Sequence, residues 1–146
     1  MLAATDVAHR FLSIVWADEV PDIETLARAI DCLLAQSYDV VSGNCTEEDA
    51  DPPPIDGNLL YQDVANRFPY LGLYPLADPL ASIDADRMMG DGVDDLADIT
   101  HDLREVVWWS ENYGLGDAAF CFRLLFPHWG RHARGLSMYL HAQMWG

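Results

Sequence analysis

The chain has 146 residues and a formal net charge of −16, and all 8 of its basic residues are arginine. A chain of this length, 51% hydrophobic, can bury the core of one ordinary domain without disulfides or a structural metal ion. Its negative surface repels phosphate backbones and anionic lipids, and the arginines are scattered, so we expect no binding to nucleic acid or to membranes.

Apolar residues recur at helical spacing in five segments, and no segment shows the alternation that is typical of a strand. The first expected helix ends at about Trp16. The other four are expected from Asp22 to about Val41, from Asn58 to Phe68, from Gly92 to Asn112, and from Asp117 to the end. We therefore predict an all-α fold, a single-domain helical bundle of about five helices that spans residues 1–146.

The last two expected helices should form a long C-terminal helical hairpin, because Gly114 and Leu115 lie in a short turn between them. Pro127 falls inside the second of these helices. A proline there removes one backbone donor and crowds the carbonyl of Arg123, so we expect the helix to kink or break at this residue.

The segments that connect the expected helices differ from one another in composition. Residues 43–57, GNCTEEDADPPPIDG, are acidic and rich in proline, which predicts a mobile surface loop with Asn58 as the cap of the helix that follows. The segment from Arg67 to Leu80 has too many prolines for a long helix, and we expect irregular structure that packs on the bundle. The residues from Asp84 onward do not match the ligand spacing of a calcium loop and are interpreted as a linker.

Cysteine usage and the N-terminal segment indicate the compartment. The cysteines are odd in number, widely spaced and without a CxxC pattern; they are Cys32, Cys45 and Cys121. We expect reduced thiols in a cytoplasmic protein. The segment from Met1 to Trp16 has Asp6 and Arg10 inside its apolar run, so we predict neither a signal peptide nor a membrane span.

Helical phase and hairpin register predict a polar cluster between the last two helices. The fourth helix carries an acidic stripe, and both histidines of the FPHWGRH stretch, His128 and His132, point inward from the fifth. Residues at equal distance from the turn lie level, which brings His128 beside His101 and His132 beside Asp98. The predicted cluster comprises Asp94, Asp95, Asp98, His101, Asp102, His128, Arg131 and His132.

Two interpretations of this cluster remain open. In the first, Asp98 or Asp102 accepts a hydrogen bond from His128 or His132 and fixes the register of two helices, because a buried imidazole needs a partner. In the second, Asp98, Asp102, His128 and His132 bind a divalent metal ion, as side chains on facing helices do in metal-binding bundles. We favour the first, with no cofactor, and keep the divalent ion as the alternative.

Aromatic residues beside the cluster suggest a surface for a protein partner. Trp108 and Trp109 project toward the acidic hemisphere of their helix, where exposed indoles would be costly, so at least this end of the face should be covered. Together with Tyr70 and Tyr74 they form a candidate partner surface. We interpret the chain as a non-catalytic binding or accessory module and, alternatively, as a divalent-metal-binding protein or metal-dependent hydrolase.

Four strings in this order, YQDVANRFPYLGLY, DPL, GDGVDDLADITHDL and the FxFRxxFxHWGRH pattern, resemble a bacterial family, domain-of-unknown-function family 5063. The resemblance covers about Tyr61 to His141 and implies a small all-α domain without an established activity. The positions that match the family's motifs are Asp94, Asp95, Asp98, Asp102, Trp129, Gly130, Arg131 and His132. The chain departs from the pattern in the loop 43–57 and at Pro127.

Overall fold

The computed structural model describes residues 1–146 and is mostly helical. Its elements are α1 (Ala4–Val15), α2 (Ile23–Gln36), α3 (Gly57–Arg67), β1 (Leu73–Leu76), β2 (Met88–Asp91), α4 (Gly92–Asn112) and α5 (Leu115–Trp145). The five predicted helices are confirmed, but the all-α class needs a correction, because β1 and β2 form a small antiparallel sheet. None of the helices combines the length and apolar character needed to cross a membrane.

Helices α1 and α2 bury the apolar stripes by which they were predicted. Helix α2 begins after Asp22, whose side chain accepts a hydrogen bond of 2.8 Å from the backbone N–H of Thr25. It ends at Gln36, earlier than the expected Val41, and a single turn of 3₁₀-helix at Ser37–Asp39 follows.

Helix α3 is attached to the end of α1. Asp56, and not the expected Asn58, is its N-cap: the Asp56 carboxylate accepts from the backbone N–H groups of Asn58 and Leu59. At the other end the Arg67 guanidinium donates to the carbonyl of Val15 at 2.9 Å and to that of Ala17. These bonds satisfy carbonyls that the end of α1 leaves free.

The two strands lie in segments that were expected to be irregular. Tyr74 of β1 pairs with Gly90 of β2, and a Cβ at Gly90 would overlap the Tyr74 ring, so the glycine is needed for the close approach. The same ring stacks on Tyr139 of α5 at a centroid distance of 4.6 Å. The sheet thus fixes Tyr74 over the α4–α5 hairpin.

The segment between the 3₁₀ turn and α3, which contains most of the acidic proline-rich loop, has neither helix nor strand. Its first part is attached to α5, because the backbone N–H and the hydroxyl of Thr46 donate to the Asp117 carboxylate at 2.7 and 2.8 Å. The fifth helix was expected to begin with Asp117 as its N-cap. Instead α5 begins at Leu115 after Gly114, which adopts a φ of 118° that favours glycine.

Helices α4 and α5 pack as the predicted antiparallel hairpin, and α5 continues to Trp145 through Pro127. The expected break at Pro127 is therefore wrong, and the expected kink stays a prediction. Both Pro127 and Arg123, whose carbonyl loses its helical partner, lie on the exposed face of α5, where water can satisfy that carbonyl. On the opposite face Trp129 is completely buried and its indole N–H donates to the carbonyl of Phe122 at 3.2 Å.

Candidate functional site

Two histidines of α5 each donate a hydrogen bond to a carboxylate of α4. Nδ1 of His132 lies 2.7 Å from Oδ1 of Asp95, and Nδ1 of His128 lies 2.7 Å from Oδ2 of Asp102. Asp95 and Asp102 are both buried. An ionised carboxylate can only accept, so each imidazole has its proton on Nδ1 in these bonds, and its Nε2 is directed elsewhere.

Both Nε2 atoms face a third carboxylate. Oδ2 of Asp98 lies 3.1 Å from Nε2 of His132 and 3.6 Å from Nε2 of His128. One ligand atom from each of these three residues can be chosen so that all lie within 4.8 Å of one another. Asp98 and the two histidines therefore meet at one point between the helices, which we call the His–Asp site.

Helical geometry explains why these residues meet. His128 and His132 are four residues apart and therefore lie one above the other on the same side of α5. Asp95, Asp98 and Asp102 are separated by three and four residues and share one side of α4. Because the helices are antiparallel, the earlier aspartate faces the later histidine.

The site differs from the prediction in the role of Asp102. Sequence reasoning put Asp102 among the metal ligands with Asp98, His128 and His132, whereas the structure places its carboxylate on the Nδ1 side of His128, away from Nε2. Asp95, which was assigned to the cluster without a particular role, occupies the equivalent place at His132. Asp95 and Asp102 are seven residues apart and therefore lie on the same side of α4. This spacing was the sequence signal that both could accept a hydrogen bond from a histidine of α5.

The pKa values of His132 and Asp98 are shifted in opposite directions by the hydrogen bond between them. Hydrogen bonds to Asp95 and Asp98 outweigh the effect of burial and raise the pKa of His132 to about 9. The same hydrogen bond from His132 is the main cause of a lowered pKa at Asp98. In the absence of a metal ion, His132 is therefore protonated at neutral pH and lies between the carboxylates of Asp95 and Asp98.

Tyr74 supports the buried end of this network. Its hydroxyl donates to Oδ2 of Asp95, the carboxylate that accepts from His132. Burial and then this hydrogen bond raise the pKa of Tyr74, so the phenol stays protonated and remains a donor. Tyr74 was predicted as part of a partner surface; the structure places its hydroxyl inside the hairpin, on Asp95.

The other predicted cluster residues lie around the His–Asp site. Nδ1 of His101 is 3.4 Å from Oδ1 of Asp102 and 3.8 Å from the Glu105 carboxylate, so His101 lies beside the carboxylate that His128 also contacts. Asp94 lies at the start of the same face, and partial burial of its carboxylate together with the charge of Asp98 raises its pKa. Arg131 is exposed and forms no ion pair with Asp98 or any other carboxylate.

The remaining aromatic residues of the predicted partner surface form two separate groups. Tyr70 packs edge-on against Phe68 and its buried hydroxyl has no hydrogen-bond partner. Trp108 and Trp109 are both half-buried and contact each other edge-to-face with ring centroids 5.1 Å apart, and Tyr113 packs against both. The structure therefore does not bring Tyr70 and the tryptophans into one surface.

A cleft of about 250 Å³ opens beside Asp98. Asp94, Asp98 and His101 form its α4 wall, and the start of α3, including Asn58 and Tyr61, forms the other wall. The cleft gives a small polar molecule access to the carboxylate side of the His–Asp site.

Comparison with known proteins bears on the fold. No family model matches the chain, and no curated protein matches it. The chain is similar to the crystal structure of protein BF1032 from Bacteroides fragilis, with a TM-score of 0.69 and 15% sequence identity over 95% of this chain and 88% of that chain. At this identity the likeness shows a shared fold alone, and the resemblance to family 5063 stays a prediction.

Proposed function

We propose that this protein binds one divalent transition-metal ion through Nε2 of His128, Nε2 of His132 and the carboxylate of Asp98. The observation that carries the proposal is the arrangement of both imidazoles: each directs Nε2 at one shared carboxylate while a buried aspartate accepts from its Nδ1. From the sequence we favoured a structural cluster of hydrogen bonds, with the metal site as the alternative; we now place the metal site first.

The Nδ1 contacts are those that metal-binding histidines require. A ligating imidazole usually donates its second N–H to a carboxylate, which fixes the ring and makes the ligating nitrogen more basic. Asp102 and Asp95 occupy these places for His128 and His132, both at 2.7 Å and both buried.

Two of the three separations between ligand atoms are those of a tetrahedral ion, and all three ligand atoms lie within 4.8 Å of one another. Ligands about 2.1 Å from a tetrahedral centre lie about 3.4 Å from each other. The distances of 3.1 and 3.6 Å from Asp98 Oδ2 to the two Nε2 atoms lie on either side of that value. Zinc is the first candidate, because two imidazoles and one carboxylate suit transition metals, whereas calcium and magnesium prefer oxygen ligands.

Three protein ligands leave a coordination position open, which is the composition of catalytic rather than structural zinc sites. Such an ion supplies Lewis-acid chemistry when it is bound. The chain contributes the cleft beside Asp98, where Asp94 and His101 could accept or donate a proton. Hydrolysis of a small polar substrate is therefore the reaction that this site would support.

A non-catalytic accessory role remains the second candidate. It is favoured by His132, whose two ring nitrogens both have carboxylate partners without any ion. The cluster would then only hold α4 on α5, and the aromatic group of Trp108, Trp109 and Tyr113 would be the surface for a protein partner.

Metal analysis separates the two candidates. Protein purified without chelator is measured by mass spectrometry for bound metal and, after treatment with EDTA, is titrated with zinc, manganese and magnesium while the melting temperature is followed. Binding of one zinc ion per chain that His132→Gln and Asp98→Asn lose, and that the exposed His141→Gln of the same helix keeps, would support the metal site. The accessory role stands if the protein neither retains metal nor changes its melting temperature.

A further inference from the structure

A second cavity, of about 380 Å³, lies nearer the turn of the α4–α5 hairpin, between the hairpin and the acidic loop. Its apolar floor is formed by side chains of α4 and α5, among them Trp109, Phe120 and Leu125, and Leu124 lies at its mouth. The volume and the apolar floor are those of small-molecule pockets in proteins.

The rim of this cavity carries charge of one sign. Glu47, Glu48 and Asp51 of the loop and Glu105 of α4 are among its lining residues, and no arginine or histidine is. The Glu105 carboxylate is half-buried, and its pKa is raised because burial and the negative charges of Asp102 and Asp51 outweigh the opposing effect of His101. A cation that entered the cavity would relieve this repulsion, and an anion would increase it.

The start of the loop that covers the cavity is attached to α5. Both oxygens of the buried Asp117 carboxylate accept from Thr46, and a Cβ at Gly43 would overlap the carbonyl of Gly116. The loop therefore contacts the start of α5 too closely for any residue but glycine at position 43. The acidic residues that follow Thr46 are brought over the apolar floor by this attachment.

From these contacts we infer that the cavity binds a small organic cation, a primary ammonium group that carries an apolar body. The apolar body would lie on Phe120, Leu124 and Leu125, and the ammonium group would lie between the Glu105 carboxylate and the indole of Trp109. An aromatic face beside a carboxylate is a favourable place for an ammonium ion. The inference rests on this cavity alone and does not require a metal ion at the His–Asp site.

Three probes of one shape test the inference: 2-phenylethylamine, 2-phenylethanol and 3-phenylpropionate, titrated by calorimetry into EDTA-treated protein at neutral pH. We expect the amine to bind about fivefold more tightly than the alcohol, and the carboxylate to give no detectable heat. Equal affinities for the amine and the alcohol would show an apolar pocket without selectivity for cations, and no binding of the amine would show no such site. Either result overturns the inference.

Two variants locate the site. Glu105→Gln removes the half-buried carboxylate, and Leu124→Arg puts a positive charge at the mouth of the cavity on a side chain that is 64% exposed. We expect each to weaken amine binding about fivefold or more. Glu19→Gln makes the same change of charge at an exposed position outside the cavity and is the control for general attraction by the acidic surface. If Glu19→Gln weakens binding as much as Glu105→Gln, or if folded Leu124→Arg binds like the wild type, the inference is wrong.

Discussion

Nδ1 of His132 on α5 lies 2.7 Å from Oδ1 of Asp95 on α4, and the other oxygen of the same buried carboxylate accepts from Tyr74. This contact joins the two longest helices and the small sheet at one residue. It also fixes the His132 ring so that Nε2 faces Asp98. The structural and the proposed metal-binding roles of the site therefore depend on the same bond.

Removing the His132 side chain should destabilise the fold. In His132→Ala the buried Asp95 carboxylate loses a charged donor, and we expect the free energy of unfolding in EDTA to fall by about 1–3 kcal/mol. Urea denaturation followed by circular dichroism measures the change. The exposed His141→Ala should stay within about 0.5 kcal/mol of the wild type. Equal stability of His132→Ala and His141→Ala would contradict the observed orientation of His132.

The Tyr74 hydroxyl should contribute separately from its ring. Tyr74→Phe keeps the stacking on Tyr139 and removes one donor to Asp95, so we expect a loss of about 1 kcal/mol in the free energy of unfolding. Tyr113→Phe, at a more exposed tyrosine whose hydroxyl makes no hydrogen bond within the protein, is the matched control. A Tyr74→Phe protein as stable as Tyr113→Phe would show that the hydroxyl does not support Asp95.

Asp102 distinguishes the observed arrangement from the ligand set that the sequence suggested. The structure places Asp102 behind His128, so Asp102→Asn should leave the zinc stoichiometry at one and weaken the affinity about 10–100-fold. Asp98→Asn removes a charged ligand and should weaken zinc binding more strongly than that. Competition with a fluorescent zinc chelator gives both affinities. If Asp102→Asn loses more affinity than Asp98→Asn, the sequence-based assignment of Asp102 as a ligand is correct.

The stability of the EDTA-treated protein should depend on the charge of His132. Its pKa is about 9 in the folded protein, above the value of about 6.5 in the unfolded chain. A group whose pKa is raised by folding stabilises the protein fully at a pH below its pKa in the unfolded chain. This stabilisation is lost as the pH rises through its pKa in the folded protein. We therefore expect unfolding free energies to fall between about pH 6.5 and pH 9, and to fall less in His132→Gln. Parallel pH profiles for the two proteins would contradict the raised pKa.

Helical periodicity predicted the long helices well, and α4 begins and ends at the expected Gly92 and Asn112. The sheet could not be predicted, because each strand has only four residues and β1 contains Pro75. The break expected at Pro127 did not occur, because the carbonyl that loses its hydrogen bond belongs to Arg123 on the exposed face of α5.

For the candidate site, the phase of two helices was enough to place the histidines near the aspartates. It was not enough to assign each carboxylate to one ring nitrogen. That assignment depends on side-chain rotamers and on a hairpin register accurate to one residue, and it decides whether Asp102 is a ligand or a support. Tyr74 was assigned to the surface for a similar reason, because its contact with Asp95 follows from the pairing of β1 with β2.

The most direct test of the metal site is a long-range proton–nitrogen NMR spectrum of protein labelled with ¹⁵N in its histidine rings, recorded before and after one equivalent of zinc. We predict that the Nε2 resonances of His128 and His132 shift to the range of metal-bound nitrogen, while both Nδ1 atoms stay protonated and His9 and His141 do not change. Ring nitrogens of His128 and His132 that are unchanged in the presence of zinc would contradict the proposed site.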